Sequence, residues 1–501
     1  MDFLHISKSR FWTFIVAVVI HFLLLSGNIL SKSQGLVLYT LLLFLYLYSE
    51  MRNLWAEDKY LFWINPIVLA SVVTFILTFG ISNFIYFLPE DLVSQVGLMP
   101  VVTPYMDKLM FFVVLGAVAM WSGYYSLWGK KWANAFAKNK IIDRVILNST
   151  ETRPRAIYSL IGVSLLSRLW AIKMGLFGYS SSYDKLVAAA SYTMYLAMAQ
   201  SLGQLALVAI GIEYFSSLRP TRKTLILLVA VTGYEVLFGF LSGFKSAVVM
   251  PLVILGVVYY SQRSQIPKLL IMLVFAGLFA AYAIIEPFRA ARNADVGFTG
   301  TSLNAIGSTM LSAESAKSEA GTQAVPRWLS IFARMNLTYT ASLGIEYAAA
   351  HKLPAGSPDF LGDIFLAPLY AVVPRFLWTG KPLGNLGLWY TNVVYGEDSY
   401  SATGMGPFTY LNFAGGVLAI FCGFYAVGVF QKWLFYGLRG VNGGGIVILL
   451  GLLSGLVNVD SAFNTFFVNI IRMLPILMLA QYFVFKKKNR VTYRDTILSS
   501  E

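Results

Sequence analysis

The chain has 501 residues, 57% of them hydrophobic and only 12% charged, with a mean hydropathy of +0.67. That charged fraction is about half of what water-soluble domains carry, which excludes a soluble globular protein and leaves a polytopic helical membrane protein. The net charge of +14 would suit nucleic acid if it were gathered on one surface. Instead the basic residues are divided among the connections between apolar runs, which excludes nucleic acid as a partner and points to membrane lipids.

Twelve windows approach the roughly 17–25 residues needed to cross ~30 Å of hydrocarbon. They lie near 11–30, 36–50, 61–88, 108–128, 156–175, 192–216, 223–242, 245–262, 267–287, 411–432, 444–459 and 463–485. The first has a basic start, Lys8 and Arg10, a long apolar stretch and no small-residue cleavage site, so it predicts a retained anchor. Lys130, Lys131, Lys138, Lys140, Arg144, Arg153 and Arg155 crowd one connection. Arg219, Arg222 and Lys223 crowd another, and Lys486, Lys487, Lys488, Arg490 and Arg494 follow the last window. These are alternate connections. The positive-inside rule therefore predicts cytoplasmic termini and an outer position for the acidic connection around Glu90, Asp91 and Asp107.

The expected fold is all-α, a single integral domain over 1–501 with about twelve transmembrane helices and one large extracytoplasmic loop, 288–410. The loop has three parts. Residues 293–326 are rich in Gly, Ser, Ala and Thr and read as a flexible linker. Residues 327–352 place Trp328, Phe332, Met335, Leu343 and Tyr347 at roughly helical spacing, predicting an amphipathic helix against the membrane or the bundle. Residues 353–407, dense in Pro, Gly and aromatics, read as an irregular binding loop on a rigid scaffold.

Cys422 is the single cysteine and His5, His21 and His351 are scattered, so neither a disulfide nor a His-based metal site is expected. The arginines of the loop are more informative, because a guanidinium fork matches phosphate oxygens and stays charged at any working pH. Arg289 and Arg292 are three apart, and Arg327 and Arg334 seven apart, each pair on one helix face. Solvation, headgroup contact or a pair between Arg289 and Glu286 accounts for these equally well. Arg375 and Lys381 flank Trp378 in PRFLWTGKP, where prolines and an aromatic pin both charges; that placement favours an anionic target.

Charges inside the windows form a second class, since each costs several kcal/mol unless it is paired or faces water. Lys173, Glu213 and Arg168 lie near enough to helix ends to snorkel. Glu235 and Arg472 lie deeper, where an ion pair within this set or a substrate cavity would account for them. Lys245 follows the break LSGF and either binds phosphate or marks a loop. Trp378, Trp389, Tyr390, Tyr395, Tyr400, Tyr410 and Asn412 form a candidate saccharide-binding set, with an interfacial aromatic belt as the alternative for Tyr410.

PRFLWTGKP followed by GPFTYLNFAGG, after some nine hydrophobic spans, resembles the Wzy-type O-antigen polymerases, the oligosaccharide repeat-unit polymerases of bacterial surface polysaccharide pathways. The matching positions are Pro374, Arg375, Leu377, Trp378, Lys381 and Pro382, then Tyr410, Asn412, Phe413 and Gly416. The break at Lys245 and the arginine at 289 or 292 also have counterparts, and the resemblance covers mainly 240–432. Pro407 and Phe408 stand where the family often has Glu, and Ala414 where Gly is common. The resemblance implies a helical glycosyltransferase of GT-C-like architecture in the inner membrane, acting without a cofactor. Its implied substrates are undecaprenyl-pyrophosphate-linked oligosaccharides and its candidate partner a chain-length regulator protein. Arginines would stabilise the departing pyrophosphate, and Asp184, His351, Asp363, Glu397 and Asp398 are candidate bases. A related ligase, with arginines and a histidine in its outer loop, would use His351. A flippase would show related halves with broken helices around a midplane site, and a structural partner of a polysaccharide complex would not need the rigid PRFLWTGKP segment.

Overall fold

The computed structural model describes residues 8–25, 31–59, 61–94, 103–147, 149, 151–178, 189, 192–263, parts of 265–285, 327–375, 377–378, 380–381, 386–396, 403–439, 444–457, 459 and 463–486. Among these, secondary structure is helical throughout and no strand forms; an isolated bridge joins Thr152 to Phe485. Among the described residues, eight helices are long and apolar enough to cross a membrane, and four shorter ones are apolar. The chain is a helical, multi-pass membrane protein.

In chain order the helices used below are α1 (Lys8–Leu25), α2 (Lys32–Glu57), α3 (Pro66–Phe87), α4 (Pro104–Tyr124), α5 (Leu127–Ala137), α6 (Pro154–Lys173), α7 (Thr193–Ser216), α8 (Arg222–Ser242) and α9 (Lys245–Arg263). They continue with α10 (Arg327–Met335), α11 (Thr338–Ala350), α12 (Phe360–Val372), α13 (Gly406–Arg439), α14 (Gly444–Val457) and α15 (Phe463–Val484). Two compact units divide them, each discontinuous in sequence: 1–135, 323–437 and 453–472 form one, and 136–322, 438–452 and 473–501 the other.

In the first unit α4 is the centre, with Met106, Val113, Ala117 and Trp121 all shielded. Trp121 Nε1 donates to Ser71 Oγ at 3.0 Å and Asn65 Nδ2 to Tyr124 Oη at 2.6 Å, which satisfies polar groups that lipid could not. Arg10, read above as a basic flank, is buried: its Nε and Nη2 donate to the two oxygens of Glu50 at 3.0 and 2.9 Å. A guanidinium fork on a carboxylate is the geometry that makes burial of both charges tolerable.

The helix expected over 327–352 is two helices, and Asn336 is the reason for the break. Its Oδ1 accepts from the backbone N–H of Thr338 at 3.0 Å, which caps α11, and from Tyr86 Oη at 3.0 Å. Its Nδ2 donates to Asn83 Oδ1 at 3.0 Å and Ser82 Oγ at 3.3 Å. A side chain that supplies the cap in this way competes with continuation of the helix. The knot also fixes α11 to the end of α3, where the chain runs through a wide π-helical stretch, Ser71–Gly80, and a tight 3-10 stretch, Ile81–Phe87.

α13 is not straight. Sixteen residues of helix span about 24 Å, yet the rings of Phe408 and Phe424 stack with centroids 4.7 Å apart. The chain folds back at Gly415–Gly416, where Gly416 takes φ +63° and ψ −145°, a region that only glycine enters readily. The result is a short arm, 406–414, lying against a longer one, 417–439, which is itself long enough to span.

In the second unit α6, α7, α8 and α9 pack together around a buried ion pair. Arg168 Nη2 donates to both oxygens of Glu235, at 2.9 and 2.8 Å, and its guanidinium lies over the rings of Tyr234 and Phe238. Snorkelling therefore does not describe Arg168, and the deep partner of Glu235 is Arg168 rather than Arg472. α8 ends at Gly243 (φ +70°) and α9 begins at Lys245, so the expected break LSGF is real.

Candidate functional site

The segment 353–407, expected to be irregular, contains α12, a 13-residue apolar helix. Asp359 caps its start by accepting from the Gly362 N–H at 2.9 Å. At its other end the last carbonyls have no helical partner, and lysine supplies the donors. Lys381 Nζ donates to Tyr370 O at 2.6 Å and to Val373 O at 3.0 Å.

Between those points PRFLWTGK makes two successive turns. The Trp378 N–H bonds to Pro374 O and Arg375 O, and the Lys381 N–H to Trp378 O at 3.1 Å. Arg375 Nη1 donates to Lys381 O at 2.5 Å, closing the loop on itself, and the Trp378 ring packs on Tyr370 at 5.3 Å. These bonds and the Trp378 ring keep the two charges in one short segment, while Pro382 lies outside the described residues.

A third cation joins them, the deep charge that the sequence left between an ion pair and a substrate cavity. Arg472, in α15, donates from Nη2 to the same Tyr370 carbonyl at 3.4 Å, while its buried Nε has no partner among the described residues. Among the described residues, no carboxylate forms an ion pair with Lys381 or Arg472. Burial, together with the charges of Arg472 and Arg375, lowers the Lys381 ammonium from its ordinary value. A site that crowds cations in this way favours an incoming anion.

The position of the cluster follows from the helices. Phe463, which opens α15, packs against Tyr410, and Tyr410 Oη donates to Phe360 O at the start of α12. Ten residues along α12 and nine along α15, Tyr370 and Arg472 meet. At 1.5 Å per residue both paths cover roughly 14 Å, so the helices run side by side and α12 ends near the middle of α15. The cations therefore lie beside the middle of α15.

Residues 146–492 match the profile of a family described as a domain of unknown function (DUF8712). The chain belongs to this family. The match takes in more than two thirds of the chain, with Arg375, Lys381 and Arg472 all inside it, and begins after α5. No curated protein matches the chain, and no solved structure does.

Several expected site residues of this DUF8712 member are placed elsewhere or otherwise. Tyr410 and Tyr390 are wholly buried, bonded to Phe360 O and to Thr340 O at 2.6 Å. Both rings are core and present no face to a sugar, because α11 and α12 cover them; Gly344 of α11 lets Tyr390 and Thr409 approach its backbone. Asn412 is half-buried on the short arm of α13, beside Phe413, which stacks on Phe360. His351 is exposed at the end of α11, stacked on Tyr347. Asp363 is buried and accepts from Tyr370 Oη at 2.8 Å, which leaves it as a supporting group for the ring under Trp378. Arg327 and Arg334 share α10, and Lys245 starts α9. Arg289, Arg292, Asp184, Glu397, Asp398 and Tyr400 lie outside the described residues.

Proposed function

We propose that the protein polymerises oligosaccharide repeat units carried on undecaprenyl pyrophosphate, by glycosyl transfer at the outer side of the bacterial cytoplasmic membrane. The observation that supports this most is the gathering of three cations at the end of α12, Arg375 and Lys381 from the segment that resembles the repeat-unit polymerases and Arg472 from α15. In the reaction an acceptor sugar hydroxyl attacks the anomeric carbon of the donor. The bond to the pyrophosphate oxygen breaks, and the hydroxyl proton passes to a base. Charge grows on the leaving pyrophosphate, and fixed cations in a part-buried site stabilise it more effectively than water does. Twelve spans, cytoplasmic termini, an outer loop 288–410 and a chain-length regulator as partner belong to the same proposal.

A second reading, a transporter of the lipid-linked unit, is favoured by one observation. α12 is a 13-residue apolar helix, too short to span, and α13 reverses at Gly415–Gly416, interruptions of the kind found in transporters with midplane sites. Deleting the gene and resolving the surface polysaccharide on a gel separates the readings. Loss of a polymerase leaves single repeat units attached to their acceptor, and loss of a ligase leaves none attached. Loss of a transporter traps units on the inner leaflet.

A further inference from the structure

α12 presents two faces. Phe360, Asp363, Ala367, Tyr370 and Ala371 are buried. Leu361, Phe365, Leu369 and Val372 recur at helical spacing on the other side and are open, Phe365 at 76% and Val372 at 68%. Leu377, at 71%, extends this stripe into the loop that carries the cations. A stretch of 13 apolar residues is too short to span and suits a re-entrant segment, and its open stripe is compatible with hydrocarbon but not with water.

The stripe ends at the charges. Lys381 spends two of its three hydrogens on carbonyls, Arg472 makes one long bond, and its buried Nε has no partner among the described residues. Cations buried beside a spanning helix are costly unless an anion completes them, and a buried donor without an acceptor is destabilising. We infer that α12 is a re-entrant helix and that Arg472 is the membrane-side member of an anion site with Arg375 and Lys381, built for a phosphate-headed lipid whose apolar chain lies along the α12 stripe. The chemistry is that of an amphiphile: phosphate oxygens on the guanidinium and ammonium, chain on Leu361, Phe365, Leu369 and Val372. It deepens the proposed function by naming how the donor is held, and rests on that reading only for the identity of the lipid.

The test uses undecaprenyl pyrophosphate without sugar, bound to the purified full-length protein in detergent and read by native mass spectrometry. Arg472→Met and Arg472→Gln should each weaken binding roughly tenfold or more, the loss expected for one charge-assisted hydrogen bond. An equal concentration of inorganic pyrophosphate should not displace the lipid, because it lacks the chain. Two outcomes overturn the inference: wild-type affinity in whichever of the two variants folds, or displacement of the lipid by inorganic pyrophosphate. Since no sugar is transferred, a protein that binds the lipid through Arg472 but makes no polymer overturns the proposed function alone. A protein that makes polymer while Arg472 is indifferent overturns this inference alone.

Discussion

Phe408 and Phe424 are stacked ring on ring, although a continuous helix would hold them about 24 Å apart. The reversal at Gly415–Gly416 makes this contact and so frees the short arm, 406–414, to meet the start of α12 through Tyr410 and Phe413. Gly416→Ala places a Cβ at φ +63°, a strain of order 1–3 kcal/mol. Thermal unfolding should fall accordingly in Gly416→Ala, while Gly404→Ala, which meets nothing within 4 Å, should unfold as wild type.

Apolar runs pointed to a helical membrane protein but not to this fold-back, because two antiparallel helical arms carry the same hydrophobic pattern as one long helix. The paired glycines were the available signal, and they read equally well as helix-packing residues. Likewise PRFLWTGKP was legible as a rigid charged segment from its prolines. Arg472 as its neighbour was not, since 91 residues separate it from Lys381 and only the course of α12 brings them together. Arg168 and Glu235, 67 apart, were both visible as intramembrane charges, and nothing in the order of residues said which acid met which base.

That pair carries a stability prediction. Both charges are buried, and Arg168 Nη1 has no partner among the described residues. Removing one charge leaves the other uncompensated, at a cost of roughly 3–5 kcal/mol, whereas replacing both by apolar residues recovers much of it. Glu235→Leu should therefore lower the unfolding midpoint strongly, and Arg168→Met with Glu235→Leu should lower it less. A double variant as unstable as the sum of the singles would show that the pair is not coupled.

Lys381 predicts opposite responses of fold and site to alkali. Its ammonium is lowered by burial and by Arg472 and Arg375, so the folded chain binds its proton less tightly than the unfolded chain. Raising pH between the lowered and ordinary lysine values therefore stabilises the fold. It also discharges Lys381 and weakens the hold on an anion. Activity should decline on the alkaline side while the unfolding midpoint does not, and Lys381→Arg should move that decline to higher pH.

Arg375→Lys keeps the charge but loses the planar fork and the rigid bond to Lys381 O. Transfer should fall at least tenfold in this variant with membrane abundance unchanged, as quantified by product formed per mole of protein. Transfer at the wild-type rate would remove Arg375 from the anion site.

The most direct measurement is reconstitution of the purified full-length protein with its lipid-linked repeat units and electrophoresis of the products. The account predicts a ladder of glycans growing by one repeat unit, with undecaprenyl pyrophosphate released at each step, and a ladder reduced at least tenfold in Arg375→Lys. Unpolymerised repeat units after prolonged incubation with active, folded protein, or their movement across the bilayer without bond formation, would contradict it.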